Sequence, residues 1–349
     1  MTAEFLAPLR LSLNSAALVS NWLWLRTQSG NAACGAAIKA DGYGLGVEGV
    51  MRRLMQAGCR DFFVATWAEA REVLPLLADG ISLSVLHGVR AEDMTLALGS
   101  RAQPVLNSAE QVARWKAAGG GPCDVMIDTG MNRLGIGMDD IVPGMLGGLE
   151  IITLMSHLAC ADEDHDMNVL QLGAFRHARQ AYPARRYSLA NSAGIFLGAD
   201  YAFDLTRPGI ALYGGIARSE CEGNIRAVVT PQAQILQRRN IPGGASVGYG
   251  AQYVAADPRE TATINIGYAD GYLRNLGSYG AAVADGVRLP IIGRVSMDLV
   301  GLDVSDRPDL REGDWVDMEY NLPLLSAASG LSQYELLTGL GSRFDRCWV

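Results

Sequence analysis

Ala36-Ala37-Ile38-Lys39-Ala40-Asp41-Gly42-Tyr43-Gly44-Leu45-Gly46 places a lysine at the end of a small-residue apolar run and directly before a glycine-rich turn. An ammonium group is rare inside an apolar element unless it is paired, perturbed or covalently used. The glycines at 42, 44 and 46 let the backbone turn tightly and approach a ligand, and the Tyr43 hydroxyl between them can bond an anionic group. Taken alone, the stretch also reads as a surface lysine after an edge strand, followed by an ordinary loop.

On either side of it the chain has a rhythm. Short apolar runs fall at Ala33–Ile38, Asp61–Ala65, Ser82–Leu86, Gln103–Leu106, Cys123–Asp128, Ile151–Ser156, Arg186–Ala190 and Phe203–Thr206. Helical patterns lie between most of them, at Val47–Ala57, Trp67–Leu77, Ser108–Ala118, Asp166–Ala181 and Ser192–Leu197. Ser108 and Gln111 have the spacing of a capping box. Strands alternating with helices imply a parallel sheet buried on both faces, and eight strands favour a closed (β/α)8 barrel over an open doubly wound sheet. Past Gly223 helical periodicity fades, and short β-type runs alternate with turns rich in Gly, Pro and Asp, the texture of an antiparallel domain. The reading is therefore a barrel over 1–223 and a mainly antiparallel β-domain over 224–349. A strand near Leu9–Leu13 can belong to either.

Hydrophobic residues make up 49% and charged residues 19% of 349 positions, which suits a chain with a large core. A formal net charge of −8 argues against a nucleic-acid surface. The six cysteines are scattered without a CxxC pair, so free thiols in a reducing compartment are expected and a structural zinc site is not. Met1–Phe5 lacks the basic start of a leader and no stretch suits a membrane span, which makes the cytoplasm the expectation.

In such barrels chemistry gathers where strands end. Those positions hold Lys39, His87, Asn107, the run Asp128 to Arg133, His157, Asn191 with Ser192, and Arg207 with Gly209 and Ile210. Any one has an ordinary reading: a structural histidine, or a loop ion pair between Asp128 and Arg133. Together they describe a cationic mouth, with Ser192 opening a helix and a glycine turn at Gly209 fit for a phosphorylated cofactor. No nucleotide motif is present.

These motifs, in this order, resemble the alanine racemase family, which is dependent on pyridoxal 5′-phosphate (PLP) and built from a barrel and a β-domain. The resemblance runs through Ala37–Gly44, Asp128–Gly135, Ser156–Ala159, Ala190–Ala193, Arg207–Gly214, Gly248–Gly250, Gly267–Gly271, Gly293–Val295 with Met297 and Asp298, and Tyr334–Leu336. It implies interconversion of L- and D-alanine through a PLP aldimine, with Lys39 holding the cofactor and Lys39 and Tyr249 as the two bases. It further implies Arg207 at the pyridine nitrogen and His157 linking Arg207 to Tyr249. Arg133 would meet the phenolic oxygen and the substrate carboxylate, and Tyr43, Asn191, Ser192, Gly209, Ile210 and Tyr334 would surround the cofactor and its phosphate. Met297 would contact substrate and Asp298 would support it, both with Tyr249 from the second subunit of a homodimer; Tyr268, Arg274, Arg294 and Asp162 resemble a substrate corridor. No metal, nucleic acid or membrane partner is implied.

Four positions depart from the family pattern. Met126 stands where a carbamylated lysine is common, leaving either a small anion, which is favoured, or Asp128 to meet Arg133. Ser188 replaces a histidine, Ser296 a cysteine, and Gln333 an asparagine or serine. Ser188 and Ser332 leave open a serine-preferring or broader racemase. A PLP-binding carrier is disfavoured by the second domain, and a PLP decarboxylase by Arg207.

Overall fold

The computed structural model describes residues 7–277 and 279–349, so the Met1–Phe5 segment read for a leader lies outside them. Two compact units result. One is Ala16–Arg226; the other joins the described residues up to Ser15 with Ala227–Val349.

The chain starts with β1 (Leu9–Leu13) and then supplies the strands of the first unit: β2 (Ala33–Cys34), β3 (Ala36–Ala37), β4 (Asp61–Val64), β5 (Ser82–Val85) and β6 (Gln103–Leu106). These are followed by β7 (Cys123–Asp128), β8 (Ile136–Gly137), β9 (Ile151–Met155), β10 (Arg186–Ser188) and β11 (Leu205–Thr206). All pairings among them are parallel. Hydrogen bonds run from β3 through β4, β5, β6, β7 and β9 to β10. A bridge between Asn191 and Arg207 carries the ring on to β11, which pairs with β2. β2 and β3 are two halves of one barrel strand, so eight strands close, as the eight apolar runs predict. Gly35 lies between the halves, where a Cβ would lie 2.8 Å from the Asp61 carbonyl oxygen. All four residues of β4 are buried, as expected for a strand with helices outside and a packed interior within. The helices match the sequence pattern closely at Val47–Ala57 and Asp166–Ala181, and Ser108 caps Ala109–Ala117 through the amide of Gln111. The segment assigned to a helix from Ser192 is instead a short 3-10 turn, Gly194–Leu197, entered through Asn191 Oδ1 on the Gly194 amide.

The barrel interior is more polar than its strands suggest. Arg186 pairs with Asp61 at 2.8 Å, and Ser82 Oγ donates to the same carboxylate at 2.7 Å. Further along, the fully buried Asp124 accepts from Ser84 Oγ at 2.6 Å and from the Thr153 amide at 2.9 Å. The second bond has a local cause. The β7–β9 register shifts between Cys123 and Val125, and the Asp124 carboxylate meets the Thr153 N–H. Burial pushes the Asp124 carboxyl up to about 6, against the pull of its hydrogen bonds.

The second unit contains β12 (Val229–Ile241), β13 (Ser246–Val247), β14 (Tyr253–Val254), β15 (Arg259–Ile264) and β16 (Ala281–Ala284). It continues with β17 (Val287–Ile292), β18 (Val300–Asp303), β19 (Trp315–Met318) and β20 (Asp345–Trp348). Long, bent β12 pairs with both β19 and β15, closing an antiparallel barrel through β18, β17 and β16. β1 lies antiparallel to β12 and parallel to β20. The sequence assigns one helix near the end; two are present, Leu322–Ser329 and Gln333–Thr338. Among the described residues no helix is long and apolar enough to cross a membrane.

Asp124 gives a signed expectation. Its folded pKa exceeds the ordinary carboxylate value of about 3.9, so the native state holds the proton more tightly and stability from this group falls as pH rises between about 4 and about 6. Asp124→Asn, which keeps an acceptor for Thr153 and a donor for Ser84, should raise the melting temperature relative to wild type more at pH above that window than below it. Equal shifts on both sides would show that Asp124 does not titrate there.

Candidate functional site

The turn after β3 is left-handed. Ala40, Asp41 and Gly42 have φ,ψ of 53°,50°, 53°,49° and 63°,43°, and Tyr43 continues at φ 56°. Backbone bonds from Gly42 N–H to the Ile38 carbonyl (2.9 Å) and from Gly44 N–H to the Ala40 carbonyl (2.8 Å) close it. Three of these residues carry a Cβ, and each costs roughly 1–2 kcal/mol in this conformation. The glycine count therefore understates the strain. The turn sends Tyr43 inward, where its ring stacks on Tyr213 with centroids 4.5 Å apart, while Tyr213 Oη donates to the Ala37 carbonyl at 2.8 Å.

Lys39 stands at the head of this turn, half-buried. Burial lowers its pKa first, the Arg133 charge lowers it further, and Glu69 opposes both. The side chain has no hydrogen-bond or ion-pair partner among the described residues, so the amine is available. His157, after β9, is pushed down to about 3 by burial and then by Arg207, Arg133 and Lys39, and is neutral at ordinary pH. Its place is set from behind. Gln171, buried on the helix Asp166–Ala181, donates to the His157 carbonyl at 2.9 Å and to Thr129 Oγ1 at 3.1 Å, and accepts from the Ala159 amide at 2.8 Å. Sequence reading missed Gln171; its signal was a glutamine on the apolar face of an amphipathic helix.

Arg207 is buried, and no carboxylate lies within ion-pair distance of it among the described residues. One arm donates to Ser188 Oγ and the other to the Ser156 carbonyl at 2.5 Å, while Ser188 Oγ itself donates to the Leu205 carbonyl at 2.5 Å. Burial lowers the Arg207 pKa to about 10, and Asp124 is the one charge acting against that. These bonds go to Ser188 and Ser156, and among the described residues Arg207 has no hydrogen bond to His157. Ser188, which the sequence leaves as free polarity, is fully engaged. Ser332 is engaged too: it caps Gln333–Thr338 in a reciprocal box with Glu335.

Of the residues expected around the phosphate, Tyr43, Ser192, Gly209 and Ile210 lie in the barrel unit, whereas Tyr334 lies in the antiparallel unit. Ser192 Oγ accepts from the Gly209 amide at 2.8 Å and from the Ala211 amide at 3.4 Å. A Cβ on Gly209 would lie 2.2 Å from Tyr43 Oη, so only glycine fits against that hydroxyl. Ile210 follows, starting the turn Ile210–Tyr213. Asp128, the acid nearest Arg133 in sequence, is already occupied: its Oδ1 accepts from the amides of Gly130 (2.8 Å) and Met131 (2.9 Å). Arg133 is exposed on the single chain and has no hydrogen-bond or ion-pair partner among the described residues.

The remaining candidates lie in the antiparallel unit, apart from Asp162. Tyr249 sits in the loop joining β13 and β14 and is 70% exposed. Met297 is fixed through its carbonyl, which accepts from the Ala269 amide at 3.0 Å; a Cβ on Gly267 would lie 2.2 Å from that oxygen. Asp298 accepts from Arg343 at 2.7 Å, and Arg343 also donates to buried Asp270 at 2.7 Å. Arg343 is not conspicuous in the sequence, since nothing local marks its two acids. Arg274 lies over the Tyr268 ring at 5.3 Å, Arg294 donates to Gln252 at 2.8 Å, Asp162 is exposed on its loop in the barrel unit, and Tyr334 is the second residue of the helix Gln333–Thr338.

Two family models match the chain: alanine racemase, N-terminal domain, over residues 13–217, and alanine racemase, C-terminal domain, over 228–348. An alanine racemase of Rhizobium meliloti is 40% identical, covering 99% of this chain and 98% of its own length. A catabolic alanine racemase of Agrobacterium fabrum is 41% identical, covering 97% of this chain and 92% of its own. A crystal structure of alanine racemase from Bartonella henselae with covalently bound pyridoxal phosphate superposes with a TM-score of 0.89 at 35% identity, covering 98% of this chain and 99% of that one.

Ser188 carries a measurable load. Ser188→Ala leaves a buried guanidinium arm without its acceptor, which should cost about 1–3 kcal/mol in denaturant unfolding. A loss under about 0.5 kcal/mol would mean that water or the Leu205 carbonyl takes over.

Proposed function

The chain belongs to the alanine racemase family, and on that premise we propose the following assignment of its residues to a PLP-dependent interconversion of L- and D-alanine. The observation that carries it is Lys39: a half-buried amine of lowered pKa, without a partner among the described residues, at a barrel mouth crowded with cations. The donor set fits PLP. Tyr43 Oη and the turn at Gly209 and Ile210 suit a phosphate, with Asn191 and Ser192 behind them. Arg207 suits a ring nitrogen acceptor, and Arg133 an oxyanion.

When bound, PLP supplies an aldehyde that joins a primary amine and a ring that accommodates the electron pair released as the Cα proton leaves. Lys39 Nζ would hold the cofactor and would take or return that proton on one face; its lowered pKa keeps more of the amine in the form that can do so. Tyr249 Oη holds the proton on the other face. Arg207 would meet the ring nitrogen as a donor that does not yield its proton. Neutral His157 orients Tyr249 as a donor or acceptor rather than as a counter-ion. Arg133 and the Met297 backbone hold the substrate carboxylate, and Asp298, anchored by Arg343, fixes that segment.

Tyr249, Met297, Asp298 and Tyr334 lie in the antiparallel unit, and the exposure of Tyr249 (70%), Met297 and Tyr334 on the single chain supports a homodimer in which the second copy supplies Tyr249, Met297 and Asp298. In this reading the barrel, read over 1–223 but without the strand Leu9–Leu13, forms the cofactor-binding part, and 224–349 with that strand forms the part offered to the partner, with the cytoplasm as the compartment.

Purified protein with PLP should convert L-alanine to the racemate by chiral chromatography, and Lys39→Ala or Tyr249→Ala should each abolish conversion. Mixing the two inactive variants under subunit exchange should restore part of it, because one site per mixed dimer keeps both residues. No recovery despite demonstrated exchange would rule out sites shared between subunits.

With Asp128 bound to its own turn, a small anion is the proposed partner of Arg133. Replacing chloride by a large, weakly coordinating anion at constant ionic strength should lower activity, and Met126→Lys, once carbamylated, should remove the dependence. Activity blind to the anion would eliminate this partner.

A further inference from the structure

The strained turn after Lys39 is held by a side chain that no motif marks. Glu69, on the helix Trp67–Val73, accepts from the Ala40 amide through Oε1 at 3.0 Å and from the Ala65 amide through Oε2 at 2.7 Å. Ala40 is the first left-handed residue after Lys39, and Ala65 directly follows β4, the strand paired with β3. One carboxylate thus spans the ends of two neighbouring barrel strands. Glu69 is fixed in turn from its own backbone, whose amide donates to Thr66 Oγ1 at 3.2 Å as part of the helix cap. The far end of the turn has a separate hold: Asp41 Oδ1 accepts from the Val47 amide at 2.7 Å.

We propose that Glu69 is a positioning residue for Lys39: its carboxylate, shared between the Ala40 and Ala65 amides, closes the left-handed turn that sets where the lysine leaves the barrel, and it brings a negative charge to bear on that amine. The inference rests on the reading of Lys39 given above. Without the clamp the Ala40 amide loses its acceptor, and a residue with a Cβ has no local reason to stay at positive φ. The charges and titratable groups facing Lys39 are Arg133 from the loop after β7, His157 after β9, and Glu69; Glu69 alone among them favours the ammonium. Asp41, though close in sequence, is not among the groups acting on it.

The test uses full-length protein freed of cofactor and trace acetylation of Lys39, read by peptide mass spectrometry from neutral to alkaline pH, with and without PLP. Removing the carboxylate in Glu69→Gln should lower the pH midpoint of Lys39 labelling by about one unit and reduce protection by PLP. Asp41→Ala, which loosens the same turn from its other end, should lower the melting temperature and leave the midpoint in place. A purely structural role for Glu69 would make the two variants behave alike, and an unmoved midpoint in Glu69→Gln overturns the proposal. If that variant does not fold, Glu69→Asp decides. It keeps the charge but is too short for both amides, so a wild-type midpoint with weakened PLP protection is expected, and wild-type values for both overturn it. Failure of PLP to protect Lys39 in the wild-type protein would instead overturn the cofactor assignment, while the midpoints still judge Glu69.

Discussion

Positive charge concentrated without ion pairing is the constraint on which this site depends. Arg207 is buried with no carboxylate in ion-pair range among the described residues, and Lys39 and Arg133 have no hydrogen-bond or ion-pair partners there. A protein meets such charge with hydrogen bonds that hold a guanidinium in place, or by shifting a proton equilibrium. Both occur. Ser188 and the Ser156 carbonyl hold Arg207, and His157 and Lys39 yield by falling pKa. What results is a mouth preorganised for an anionic, phosphorylated ligand, with the neutral His157 imidazole at hand.

The barrel interior balances this charge at a distance. Asp124 acts on Arg207, and it sits where the β7–β9 register slips, so its carboxylate serves a backbone amide and an electrostatic role together. Typical barrel interiors are filled by branched apolar side chains. Here a polar column of Asp61, Arg186, Ser84 and Asp124 replaces part of that packing. The cost appears as a carboxyl pushed up to about 6.

The antiparallel unit applies the same logic to its exposed face. Tyr249 and Met297 project from loops. The Met297 loop is braced because backbone approaches too closely for any side chain at Gly267 and because Arg343 ties Asp298 to buried Asp270. An exposed side chain on a well-braced loop is suited to entering a neighbouring site without a large ordering cost.

The sequence by itself determined most of the elements and the candidate groups at the strand ends. Eight apolar runs separated by helical patterns are local signals, and each became a barrel strand because periodicity is set by neighbours a few residues away. Lys39, Arg133, His157 and Arg207 were legible because charged or titratable residues at the ends of apolar strands are conspicuous in any sequence. Tertiary structure alone decided what those groups touch. Glu69 meets Ala40 across 29 residues, Ser188 meets Arg207 across 19 and Arg343 meets Asp270 across 73. The pairing of β1 with β12 is a matter of the same kind, since a five-residue alternating strand fits either unit. The handedness of the turn after Lys39 also escaped, because glycines advertise positive φ and alanine, aspartate and tyrosine do not. Such choices depend on strand register and on distance through space. A linear pattern encodes which residues can form an element, but only the closed barrel settles which acid, hydroxyl or carbonyl arrives within hydrogen-bond reach.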